Sequence, residues 1–146
     1  MMNHRMQVNQ VSAVVMQMQA QGVEISYAVL MFKSPYALSV EDPYINLQYS
    51  IVGGVLGLDW VLRGQRNIED KNWIAKFIAD AGHVAVESEL NEVRFLRVQD
   101  GDPGDLAELG FRIATEFYQL DGGAEIALLV NGFDYEDMRA RQKVLQ

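Results

Sequence analysis

The sequence predicts an α+β domain of two layers, a mostly antiparallel sheet of about six strands with helices largely on one face. Three observations carry that expectation. Residues 44–62 alternate apolar and polar side chains on either side of Gly53-Gly54, the pattern of a hairpin closed by a two-glycine turn. Residues 74–81 place Ile74, Phe77, Ile78 and Ala81 at i, i+3, i+4 and i+7, the stripe of an amphipathic helix. Strand-like and helix-like stretches follow one another in the order α, β, β, β, α, β, β, α, β with a short terminal α, and consecutive hairpins build antiparallel sheets. With 146 residues, 49% of them hydrophobic, the chain suits one domain over 1–146 that buries about two-thirds of its unfolded surface.

Taken in order, residues 8–18 put Val11, Val14, Val15 and Met18 at helical spacing, with Gly22 beyond as a stop. Met6, Met16 and Met18 are flexible gap-fillers that suit either a partner surface or core packing, and core is preferred. Residues 23–32 alternate as a strand that starts half-buried and ends buried on both sides. Residues 33–43 hold two prolines and an acidic pair and read as a surface connection. In the central hairpin, glycines at the tip pair Ile51 with Leu56, Tyr49 with Leu58, Leu47 with Trp60 and Ile45 with Leu62, all on one face. Asn67 then stands where a helix N-cap is expected, with Glu69 and Asp70 in the first turn and Gly82 as the C′ residue.

Residues 83–99 form a second hairpin with two candidate registers. A two-residue turn at Asn91-Glu92 pairs Glu89 with Arg94; a three-residue loop gathers Val84, Val86, Leu96 and Val98 on one face and is preferred for that cleaner face. Asp102 caps the next helix, with Pro103 at N1, Asp105 reaching back, and Leu106, Leu109, Ile113, Ala114 and Phe117 as its stripe. Gly110 on that stripe marks a close approach to the sheet. Residues 125–130 are an interior strand after Gly122-Gly123, and residues 134–143, acids first and bases last, suit a short terminal helix.

The chain has no cysteine, which excludes disulfides and thiolate metal sites and fits a reducing, cytoplasmic setting. Residues 1–10 lack the apolar stretch of a signal peptide, and no run approaches the ~20 apolar residues of a membrane span. The net charge of −8 is uneven. Residues 80–108 set eight carboxylates against Arg94 and Arg97, a balance of −6. That sign repels phosphates and argues against nucleic acid as a partner. It suits either a solvated face or a basic protein partner.

Few residues offer chemistry. The run Asp100-Gly101-Asp102-Pro103-Gly104-Asp105 begins like a calcium loop, but Gly104 and Phe111 fall where the fifth and twelfth ligands belong. Gly53, Gly54 and Gly57 lack the setting and the lysine of a phosphate loop. His4 and His83 form no set, so neither a cofactor nor a metal is indicated and catalysis is unsupported. Arg63 and Arg66, beside the expected helix start, are candidates for holding an anion or for pairing with Glu69 or Asp70. Asp59 falls opposite Gln48 on a polar hairpin face with Asn46, Ser50 and Gly57, which meets either water or a partner. The candidate partner-binding residues are therefore Gln48 and Asp59, the aromatic Trp73, and Glu87, Glu89 and Glu92 of the acidic hairpin.

The run from Leu47-Gln48-Tyr49 through Gly57-Leu58-Asp59-Trp60-Val61-Leu62 to Arg66-Asn67-Ile68-Glu69-Asp70 resembles small acidic bacterial proteins that accompany polymorphic toxins as immunity proteins. The likeness covers roughly residues 44–130 as a pattern of strands and helices. It implies a cytoplasmic binding module that neutralises a basic toxin by occluding its active site or docking nearby. Two other readings stand beside it. One is a small-ligand binder or enzyme with a pocket between sheet and helices near Asp59 or Arg66; the other is a homo-oligomer packed through Trp60, Trp73 or the first helix.

Overall fold

The computed structural model describes residues 2–34 and 43–137. The strands are β1 (Met2–Gln7), β2 (Tyr27–Lys33), β3 (Tyr44–Val52), β4 (Val55–Val61), β5 (Ala85–Leu90), β6 (Val93–Val98) and β7 (Glu125–Asn131). The helices are α1 (Val11–Gln21), α2 (Gln65–Glu69), α3 (Lys71–Asp80) and α4 (Pro103–Arg112), the last continued by a π turn over Ile113–Phe117. The class is the expected α+β, with one open antiparallel sheet in the order β1-β7-β2-β3-β4-β6-β5. Among the described residues it has seven strands rather than about six. The additional strand is β1, whose Met6 pairs with Ile126. An edge strand with one wet face needs so few apolar residues that its alternation is lost in a polar stretch.

Leu30 of β2, Leu47 and Tyr49 of β3, Leu58 and Trp60 of β4, Leu96 of β6 and Leu128 of β7 join Val14, Val15, Leu106 and Leu109 of the helices in one buried cluster. Those strand residues share one parity along their ladders, so the helices lie on a single face. The approach of α4 is close. The Tyr49 hydroxyl donates to the Leu106 carbonyl at 2.8 Å, and a Cβ at Gly110 would overlap that hydroxyl. Asp102 and Asp105 form the expected reciprocal capping box at the start of α4. Gly82, at φ 89°, ends α3, with the Gly82 and His83 amides bonded back to Ala79 and Ile78.

The central hairpin has the expected register from Val52↔Val55 to Gln48↔Asp59, its tip formed by Gly53 and Gly54 at φ 62° and 76°. Beyond Gln48 the ladder stops. Asn67 lies within α2, not at its cap, and is wholly buried. Its amide donates to the carbonyls of Asn46 and Val61, both at 2.8 Å, and accepts from the Asn46 amide at 3.0 Å. One side chain thus stands in for the missing ladder partner between β3 and β4. Leu47, Ile45, Trp60 and Leu62 share the core face as expected, but Trp60 pairs with Leu96 rather than Leu47.

Three further expectations are corrected. The strand expected from residue 23 begins at Tyr27, because residues 23–26 turn, with Ile25 at φ 61°. The second hairpin has the two-residue turn, with Asn91 and Glu92 at φ 52° and 68°, and pairs Leu90 with Val93 and Glu89 with Arg94. That register leaves Val84 and Val86 exposed while bringing Glu87 to Lys71 at 3.3 Å and to Arg94. The expected terminal helix does not begin at residue 134. Residues 134–137 run beside α1, where the Gln17 and Gln21 side chains bond the main chain of Glu136 and Asp134; the remainder of that segment, like residues 35–42, lies outside the described residues. Among those described, no helix is long and apolar enough to cross a membrane.

Glu24 closes the hairpin tip, its two carboxylate oxygens accepting from the Gly54 and Gly53 amides at 2.9 and 2.7 Å. Those backbone donors hold its pKa below the ordinary 4.5. The stabilisation is fully present above that unfolded value and is lost as pH falls through the lower folded one. Glu24→Gln is therefore expected to lower the urea midpoint at pH 7, with the gap from wild type closing below about pH 4.

Candidate functional site

The helix-free face of the sheet buries charge. Asp59 on β4 pairs with Arg97 on β6, and the two are 1% and 7% exposed. Arg97 Nη1 donates to Asp59 Oδ1 and to Ser50 Oγ, both at 2.8 Å. Its Nη2 donates to the carbonyls of Val55 and Ser50 at 2.7 and 3.3 Å, and its Nε to Gln99 Oε1 at 2.9 Å. Ser50 Oγ donates to Asp59 Oδ2 at 2.5 Å, and Gln48 Nε2 reaches the same oxygen at 3.3 Å. The guanidinium lies flat across Gly57, where a Cβ would come 2.5 Å from Arg97 Cζ. Gly57 is a glycine for that close approach rather than for a turn. Burial pushes the Asp59 carboxyl above the ordinary range, against the pull of Ser50, Arg97 and Gln48.

Above this floor lies a cavity of about 230 Å³. Gln48, Ser50 and Asp59 line it, with Tyr27 of β2, Asn131 of β7, Phe95 of β6, and Leu90 and Asn91 at the end of the second hairpin. Residues from β2 and from the β5–β6 turn meet across β3 and β4, so the sheet is concave on this side. Apolar side chains stand at the rim: Ile25 is 65% exposed and Leu90 42%. A larger cavity of about 580 Å³ opens at Arg5, Lys33, Tyr44 and Glu125. Its charges are already met, with Arg5 3.9 Å from Glu125 and Lys33 over the Tyr44 ring.

Of the residues singled out in the sequence, Gln48 and Asp59 are brought together. Glu92 adjoins the cavity through Asn91 and is exposed, as is Glu89. Glu87 is tied to Lys71 and Arg94. Trp73, 66% exposed, projects from α3 on the opposite layer. Arg63 is exposed beside α2, while Arg66 lies 3.4 Å from Asp70 Oδ2 and against the Tyr118 ring. Tyr118 donates to the same Asp70 oxygen at 2.8 Å, so that group is a paired network under α2. Asp100 accepts from the Val84 amide and meets His83 Nδ1 at 3.0 Å, which, with the capping box, engages all three carboxylates of the calcium-like run. Sequence reasoning missed Arg97; its signal is a cation inside the apolar strand 93–98, facing a strand glycine.

Truncating one partner of a buried pair strands the other. Arg97→Met is expected to cost about 3–5 kcal/mol in urea unfolding, and the double variant Arg97→Met/Asp59→Leu to recover a large part of it. Equal losses in both proteins would contradict the pairing as the source of the cost.

Comparison with known proteins finds no matching family model, no similar curated protein and no similar solved structure.

Proposed function

We propose that the chain is a protein-binding module that engages a basic partner through the β5–β6 hairpin and the cavity beside it. The observation that carries this reading is contiguity: Leu90 and Asn91 wall the cavity, Glu92 is exposed in the same turn, and Glu89 is exposed on the reverse face of β5. An apolar rim, a polar socket and exposed acid thus lie within one hairpin tip. At about 230 Å³, the socket is smaller than the roughly 300–1,000 Å³ of small-molecule pockets. It suits a single anchoring side chain from a larger partner, the usual way an interface concentrates its energy.

Acidic surfaces speed encounter with basic partners. The resemblance of residues 44–130 to toxin immunity proteins suggests the identity of such a partner: a basic toxin, met in the cytoplasm and blocked by this surface. Purification from the host is expected to recover a basic protein with the wild type and to lose it with Glu89→Lys/Glu92→Lys. Recovery of no basic partner, or equal recovery by both proteins, would remove the reading.

A further inference from the structure

We infer that the open edge of β5 receives an extended strand whose side chains alternate basic and apolar. This rests on the binding reading above and names the form the partner takes. Among the described residues β5 is the last strand of the sheet. Its two-residue turn makes Leu90↔Val93 a hydrogen-bonded pair, so Leu90, Ser88 and Val86 direct their amides and carbonyls to β6. The groups of Glu89, Glu87 and Ala85 therefore point to the edge. The other side of β6 keeps the same phase, since the Arg94 carbonyl accepts from Leu62 of the chain leaving β4.

A strand laid against that edge meets two different faces. On the helix-free face it stands beside Val86 and Leu90, 57% and 42% exposed, which favour β-branched neighbours. On the other face it stands beside Glu87 and Glu89. Lys71 and Arg94 already answer Glu87, which leaves Glu89 to favour a lysine or arginine across the strand. A second copy of this chain is a poor occupant: antiparallel pairing of β5 with itself keeps equivalent faces together and sets glutamate against glutamate. Charge thus selects a basic strand over self-association, and the main chain supplies the docking groups.

Fluorescence anisotropy with a labelled peptide of alternating valine and lysine tests this. Wild type is expected to bind it at least about tenfold more tightly than a peptide of the same composition in two blocks. Glu89→Pro removes an edge-facing amide without breaking a β5–β6 bond, and is expected to abolish the difference; Glu89→Gln, which keeps the amide, should lose only a few-fold. If Glu89→Pro fails to fold, the alternating peptide N-methylated at every second amide applies the same test from the ligand side. Equal affinity for alternating, block and N-methylated peptides overturns strand addition. A host partner held equally by wild type and Glu89→Pro also overturns it while leaving the binding reading in place, whereas absence of any host partner removes the binding reading and leaves the peptide result to decide the edge.

Discussion

Arg97 holds the β6–β5 end of the sheet in place. The ladder between β4 and β6 runs only from Leu58↔Val98 to Val61↔Phe95, and among the described residues β6 is the one strand that pairs with β5. From the opposite side of that short seam the Arg97 guanidinium bonds Asp59 and the Val55 carbonyl on β4 and the Ser50 hydroxyl and carbonyl on β3. A buried ion pair is tolerated only when its remaining donors and acceptors are met, and here each nitrogen of the guanidinium has a partner. Gly57 makes the geometry feasible by leaving the space the guanidinium fills. The position of the second hairpin over the cavity follows from that tie.

Side chains elsewhere in the fold also do the work of backbone partners. Asn67 bridges β3 and β4 where their ladder ends; Glu24 satisfies the two glycine amides of the hairpin tip; Gln17 and Gln21 hold the chain after β7 along α1. Each lets the main chain leave regular pairing with its polar groups met; at the wholly buried Asn67 bridge an orphaned backbone group would otherwise cost about 1–3 kcal/mol. The Trp60 ring, stacked on Tyr118 at 6.1 Å and bonded to the Asn67 carbonyl, joins the Asn67 bridge to the Asp70–Arg66 network. Polar and apolar packing are continuous through the helix-bearing layer.

The central hairpin and α4 were legible because local chemistry decides them: two glycines at left-handed φ fix one register, and a capping box with proline at N1 fixes one helix start. The second hairpin was not. A preference for the cleaner apolar face fails on an edge strand, whose outer face stays wet and whose turn geometry decides the register. Gln48 opposite Asp59 was readable from the first hairpin alone, but Arg97 comes from a strand distant in sequence. Glu87 looked like bare acidity for the same reason, its partner Lys71 belonging to another element. Asn67 had the composition of a cap and the position of one, and only the separation of β3 from β4 reveals its bridging role.

Strand docking needs β5 to present an open edge beside the acidic hairpin tip. Residue-resolved amide hydrogen exchange on the free protein tests that most directly. Open pairing predicts alternation along the strand, with the Val86, Ser88 and Leu90 amides protected by β6 and the Glu87 and Glu89 amides exchanging quickly. Protection of Glu87 and Glu89 equal to that of Ser88 would mean the edge is already occupied, and would contradict the account.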